Sequence, residues 1–156
     1  MDPEDNSLQS LADYLSGFAG EYLAHSNVVC RFKIPVTLPP VIFEGRVRHD
    51  LFLAVKETLN NVVRHAQAGE VEFRIAASET AMEIVIADNG KGFEASASNQ
   101  GNGLKNLRDR LAKLGGTCVV ESRPGNGTTV RMRLPLPVRT SNPAGVSTAD
   151  HQKDSA

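Results

Sequence analysis

The chain has 156 residues, 40% of them hydrophobic and 22% charged, with a formal net charge of -1. That length suits one domain with a self-sustaining core, and the balanced charge offers no electrostatic drive toward nucleic acid or an anionic membrane. No apolar run approaches the ~20 residues of a membrane helix, and the start M-D-P-E-D-N is acidic where a secretory signal is basic, so a cytoplasmic domain without membrane contact is expected.

From Leu8 the apolar residues Leu8, Leu11, Leu15, Phe18 and Tyr22 recur every three or four positions, one stripe of an amphipathic helix with Ser7 as its N-cap. Val28, Cys30, Phe32 and Ile34 then alternate with Val29, Arg31 and Lys33, a strand that Pro35 and Pro39-Pro40 stop. The longest helical signal runs from Arg46 to Ala68, bounded by Gly45 and Gly69. At about 100° per residue, Leu51, Phe52, Val55, Leu59, Val62, Val63 and Ala66 share a broad apolar face, and Glu57, Asn61 and Arg64 lie opposite.

Val71, Phe73 and Ile75 alternate with Glu72 and Arg74, and after a Ser78-Glu79-Thr80 turn the apolar run from Met82 predicts the second strand of an antiparallel pair. That run enters D-N-G-K-G-F, residues 88 to 93. Alone this is good hairpin chemistry, but no returning strand follows; the next stretch, Glu94 to Gln100, is small and polar. A second glycine cluster, G-N-G-L from Gly101 to Leu104, reads as backbone shaped around a ligand.

Leu104, Leu107, Leu111 and Leu114 predict a helix that ends at Gly115-Gly116. Thr117 to Glu121 and Thr128 to Leu134 predict strands joined by S-R-P-G-N-G, with Val130, Met132 and Leu134 facing in and Arg131 and Arg133 facing out. Residues 1 to 6 are expected to fray and 138 to 156 to form a disordered tail, leaving one domain over 7 to 137. Strands in adjacent pairs with helices on one face describe an α+β two-layer sandwich, its sheet mixed but mostly antiparallel. Cys30 and Cys118 lack metal-ligand spacing and read as buried small hydrophobes.

The chemistry-bearing residues fall in three boxes. No G-x-x-x-x-G-K-[ST] loop is present, and the glycines at 101 and 103 follow a loop where a dinucleotide fingerprint would follow a strand. E-T-L-N-N-V-V-R-H-A, D-N-G-K-G-F and G-N-G-L-K-N-L-R-D-R-L together resemble the ATP-binding domain of the GHKL superfamily, which includes gyrase, heat-shock chaperone ATPases, mismatch-repair proteins and histidine kinases. They are most similar to sensor histidine kinases of the nitrate-sensor type, over roughly Leu8 to Pro135.

The resemblance implies a fold and a set of roles. Asn61 matches the magnesium-binding asparagine, whose neutral amide oxygen suits a hard ion otherwise held by phosphates and water. Glu57, one turn earlier, matches the acidic residue that orients or deprotonates the nucleophile. Arg64 and His65 match the basic pair closing that box. Asp88 matches the aspartate that accepts from the adenine amino group, an acceptor-only reading that favours adenine over guanine. Gly90 and Gly92 let backbone approach the base, Phe93 anchors the loop, and Gly101, Asn102, Gly103 and Leu104 bring helix-start N–H groups to the phosphates. Lys105 adds a point charge, and Thr128 matches a threonine near the adenine pocket. Glu57 and Asn61 as a solvated helix pair, His65 as a helix-end residue and Thr128 as an ordinary strand residue remain the structural alternatives.

The implied ligands are ATP and Mg2+, and the implied partners are a phosphoacceptor-histidine dimerisation domain and, indirectly, a response regulator, with the isolated domain monomeric. No histidine-bearing helix hairpin precedes Leu8, and His49-Asp50 imitates a phosphoacceptor box while sitting two turns from Glu57 on the same helix. A free-standing anti-sigma-factor-type serine kinase and a non-catalytic nucleotide-binding or docking module are the alternatives.

Overall fold

The computed structural model describes residues 6–94 and 103–138. The order of elements is helix α1 (Leu8–Ala24), strand β1 (Val29–Lys33), helix α2 (Gly45–Asn61) continued by a π-helical segment (Val62–Ala66), strands β2 (Glu70–Ala77) and β3 (Ala81–Asp88), helix α3 (Gly103–Lys113), and strands β4 (Thr117–Ser122) and β5 (Thr128–Pro135). The predicted Gly101 and Asn102, the stretch 95–100 and the tail from 139 lie outside the described residues.

The sheet has five strands in the order β1-β2-β3-β5-β4. β2–β3, β3–β5 and β4–β5 are antiparallel, and β1–β2 is parallel. The parallel pair follows from its connection: α2 carries the chain back across the sheet between β1 and β2, the crossover that parallel strands require. α1 lies over β1, α3 over β4 and β5, and α2 touches both other helices, so the three form one layer on one face of the sheet.

Alternation decides which face is buried. Val71, Phe73 and Ile75 on β2, Met82, Ile84 and Ile86 on β3, and Val130, Met132 and Leu134 on β5 all point under the helices, each no more than 5% exposed. They meet Leu8, Leu11 and Leu15 from α1, Leu51, Val55 and Leu59 from α2, and Leu107 and Leu111 from α3 in one core. Full burial of each such side chain is worth about 1.5–3 kcal/mol. The opposite face is a lattice of charges, with Arg31 on Glu70, Lys33 and Arg74 on Glu72, and Arg131 on Glu121.

Several boundaries differ from the sequence expectation. The long helix is α-helical only to Asn61; it widens into the π segment and stops at Gln67, which takes the left-handed conformation (φ 53°, ψ 40°). Asn6, expected to fray, accepts from Phe43 N–H through its backbone and from Arg48 through its side chain. At the other end Val138 packs on the core. Ser7 caps α1 as expected, its hydroxyl accepting from Ser10 N–H at 3.0 Å.

Cys30 on β1 and Cys118 on β4 are both free. They occupy opposite edges of the sheet, four strand spacings or about 19 Å apart, far beyond disulfide reach.

Candidate functional site

The C-terminal end of β3 and the N-terminal end of β5 lie side by side in the middle of the sheet, with Asp88 directly opposite Thr128. The chain leaves β3 through Asn89 to Phe93, and three sets of contacts hold that loop. Asn89 Oδ1 accepts from the N–H groups of Gly69 and Glu70, both at 3.0 Å, tying the loop to the start of β2. Lys91 N–H donates to the Ala66 carbonyl at 2.7 Å, which satisfies an acceptor at the end of the π segment. Phe93 N–H donates to Ser122 Oγ at 2.9 Å, and Gly125 N–H to the Lys91 carbonyl at 2.6 Å, tying the loop to the β4–β5 hairpin.

Two glycines make this knitting possible. A Cβ on Gly90 would overlap the Ala66 carbonyl. Gly92 has φ +65°, and a Cβ there would overlap the Arg123 carbonyl. What lies immediately against both glycines is thus protein backbone.

Above the loop is a cleft of about 810 Å³, within the size range of small-molecule sites. Its walls include Thr58, Asn61, Val62, His65 and Ala66 from α2 and the π segment, Ile86 and Asp88 from β3, and Thr128 and Val130 from β5. Lys91, Gly92, Phe93, Leu104 and Pro124 complete them. Its apolar lining includes Val62, Ile86, Phe93 and Val130, and Asp88 is the one carboxylate among its lining residues.

Burial raises the Asp88 pKa, against the lowering effect of the Gly90 and Thr128 backbone N–H groups that bond it. The Gly90 bond measures 2.8 Å. A desolvated carboxylate with lone pairs to spare is a strong acceptor for a ligand N–H.

Asn61 lines the cleft. An ideal Cβ on Gly103 would stand 3.7 Å from Asn61 Nδ2 and 3.7 Å from Glu57 Oε1, so the start of α3, Asn61 and Glu57 converge on one spot left open by the missing side chain. Glu57 itself faces a smaller neighbouring pocket, shared with Tyr22, Lys56, Asn60 and Arg110. Among the described residues no three His, Cys, Asp or Glu side chains cluster in a way that would hold a metal. An amide and one carboxylate suit a hard cation that brings phosphate and water as its remaining ligands.

Two of the expected residues stand apart. Arg64 is exposed and is not among the residues lining the cleft, whereas the neighbouring His65, also exposed, lies at its wall beside the buried Val62 and Ala66. Lys105 is exposed and pairs with Asp109 along α3 at 3.5 Å, one position round the helix from the inward Leu104. His49 is exposed, and its neighbour Asp50 pairs with Arg110 at 3.6 Å, bracing α3 against α2. Thr58, Asn89, Lys91 and Ser122 were missed by sequence reasoning. Lys91 and Asn89 sit inside the D-N-G-K-G-F box and Thr58 inside E-T-L-N-N-V-V-R-H-A, so all three were available there, whereas Ser122 carries no local signal.

Residues 46–138, well over half of the chain, match the family model described as histidine kinase-, DNA gyrase B-, and HSP90-like ATPase. The chain is 36% identical over 95 residues to the signal transduction histidine-protein kinase/phosphatase DegS of Brevibacillus brevis, covering 60% of this chain and 25% of that protein. It is 31% identical over 128 residues to the sensor protein VraS of Staphylococcus saprophyticus, covering 79% of this chain and 37% of that protein. It therefore spans between a quarter and somewhat over a third of the length of these relatives. The histidine kinase domain of the Erythrobacter litoralis EL346 blue-light activated kinase shares the fold with a TM-score of 0.67 and 23% identity, covering 81% of this chain and 61% of that one. The mycobacterial sensor histidine kinase MprB does so with a TM-score of 0.61 and 21% identity, covering 86% and 97%. With the three sequence boxes drawn around one cleft and the family model running through all of them, the chain belongs to the histidine kinase-, DNA gyrase B- and HSP90-like ATPase family, as an ATP-binding domain whose relatives are sensor histidine kinases.

Proposed function

We propose that this domain binds Mg-ATP and presents the γ-phosphate to a histidine on a separate dimerisation segment, as the catalytic domain of a sensor histidine kinase of the nitrate-sensor type. The observation that carries the reading is the convergence of Asp88, Asn61, His65 and Thr128 on one 810 Å³ cleft that is also lined by the apolar Val62, Ile86, Phe93 and Val130. Adenine fits the slot between Val62, Ile86, Phe93 and Val130, with its amino group on Asp88. The phosphates run toward the start of α3 at Gly103 and Leu104, where helix-start N–H groups favour anions, with His65 and Lys91 on the way and with Gly101 and Asn102 assigned to the same phosphate site. Arg64 and Lys105, on the outer side of that path, add long-range positive charge.

Asn61 is the protein ligand assigned to Mg2+, which when bound neutralises phosphate charge. Glu57, beside Asn61 but opening toward the adjacent pocket, is placed to orient the incoming imidazole and accept its proton. Most of the rate enhancement then comes from alignment and charge neutralisation. The working compartment is the cytoplasm, the isolated domain is a monomer, and the response regulator is served indirectly, through the phosphorylated histidine. No helix among the described residues is long and apolar enough to cross a membrane. A free-standing serine kinase or a non-catalytic docking module is not favoured, since the relatives are sensor kinases and Glu57, Asn61 and Asp88 are all present.

Titration calorimetry with ADP and a non-hydrolysable ATP analogue tests the reading. Binding that weakens when magnesium is chelated is expected; absence of heat at millimolar nucleotide rejects it.

A further inference from the structure

Behind the Asp88–Thr128 corner, and outside the cleft, sits Ser122. Its hydroxyl oxygen accepts from Phe93 N–H at 2.9 Å, lies 3.0 Å from the Gly127 carbonyl, and lies 2.8 Å from Thr128 Oγ1. A serine hydroxyl has one proton. A carbonyl only accepts, so the contact with Gly127 claims that proton, and the contact with Thr128 is left to be made by the proton of Thr128.

We infer that Ser122 is a positioning residue that fixes the Thr128 hydroxyl as an acceptor toward the cleft, making this corner a double-acceptor reader of an exocyclic amino group. Asp88 and Thr128 are directly opposed across β3 and β5, which puts both side chains on the same face of the sheet with Cβ atoms about 5 Å apart. Asp88 Oδ1 is already engaged by Gly90 N–H at 2.8 Å, leaving further lone pairs for a ligand. With the Thr128 proton turned away, a carboxylate and a hydroxyl lone pair converge on the slot, and no donor faces it from either side chain. An amino group at the 6-position of a purine offers two N–H bonds to such a corner, and a 6-oxo group offers none. This inference rests on the nucleotide reading above and adds to it the device that sets base selectivity.

Calorimetric titration of ADP and of IDP, which differs at the 6-position and has no 2-amino group, tests it on the whole chain. The parent should bind ADP at least about tenfold more tightly than IDP, since a site built on buried acceptors rejects a ligand that leaves them unpaired. Ser122→Ala releases the Thr128 proton to donate into the cleft, and the ADP to IDP ratio should fall about five- to tenfold, with Ser122→Thr restoring it. Thr128→Val should weaken ADP about five- to tenfold and leave IDP within about twofold, and it remains decisive if Ser122→Ala fails to fold. An equal loss of both nucleotides in Ser122→Ala overturns the inference, as does equal loss, or no loss, in Thr128→Val. Equal binding of ADP and IDP by the parent overturns the acceptor corner while leaving the nucleotide site standing, and binding of neither overturns both.

Discussion

Gly90→Ala separates a glycine needed by the fold from one needed by the ligand. In the parent, a Cβ at position 90 would overlap the Ala66 carbonyl oxygen and stand 2.7 Å from Ala66 Cβ and 2.8 Å from the carbonyl carbon. None of these atoms is the free end of a flexible side chain. The loop must therefore move off the π segment, breaking the 2.7 Å bond from Lys91 N–H to the Ala66 carbonyl. The lost bond costs about 1 kcal/mol and the crowding about 1–3 kcal/mol, for a total of roughly 2–4 kcal/mol. For a domain of this size that lowers the melting temperature by about 10 °C. Gly103→Ala is the control. Its added Cβ meets only Asn61 and Glu57 side-chain atoms at 3.7 Å or more, at a helix start with no strained backbone. Stability should stay within about 0.5 kcal/mol of the parent, while the methyl group takes space between Asn61 and Glu57 and lowers Mg-nucleotide affinity at least about tenfold. Thermal melts followed by circular dichroism, paired with nucleotide calorimetry, read both effects. A Gly90→Ala protein melting within about 2 °C of the parent would refute the assignment, as would a Gly103→Ala protein that loses as much stability as Gly90→Ala.

Burial holds the Asp88 carboxyl above the ordinary aspartate value of 3.8. A carboxyl raised in the fold favours the folded state while protonated, and that contribution is lost as the pH rises through its folded value. Asp88→Asn cannot ionise, so its melting temperature should gain on that of the parent between pH 3 and pH 7; a constant difference across that range rejects the desolvated carboxylate. The same substitution should weaken ADP, because an amide presents a donor where the base also donates. Asn89→Ala removes the acceptor for Gly69 and Glu70 N–H and should cost about 1 kcal/mol in urea denaturation, an unchanged midpoint speaking against that tether. Burial pushes the Cys30 thiol up to about 11, leaving roughly one molecule in a thousand as thiolate at pH 8. Iodoacetamide should accordingly label Cys30 slowly in the native chain and quickly once it is unfolded, and equal rates would contradict its burial.

Much of the layout was legible because period and punctuation act locally. The alternation Val71, Phe73, Ile75 against Glu72, Arg74 is a statement about one strand, and the core confirms it. The hairpin alternative for D-N-G-K-G-F lost to the missing return strand, and β3 indeed pairs with β5 across the intervening α3 and β4. The π segment was not legible. An unbroken apolar period continues through Val62 and Ala66, and nothing local distinguishes a four-residue from a five-residue hydrogen-bond step. Likewise the glycines at 90 and 92 looked like space for a ligand, whereas the atoms that exclude a side chain there belong to Ala66 and Arg123, 24 and 31 residues away in the chain.

By itself the amino-acid sequence determined the strands and helices, their order, the core faces, and through three boxes the family and the residue types of a nucleotide site. Those follow from short-range periodicity and from residue chemistry, which each segment carries with it. Only the tertiary structure decided which of those residues share a cleft. It gathers Asn61, His65, Asp88 and Thr128, turns Arg64 and Lys105 outward, and sets Ser122 behind Thr128. The physical reason is that convergence depends on strand register and on the backbone contacts that seat one loop against another, and both are made between segments far apart in the chain.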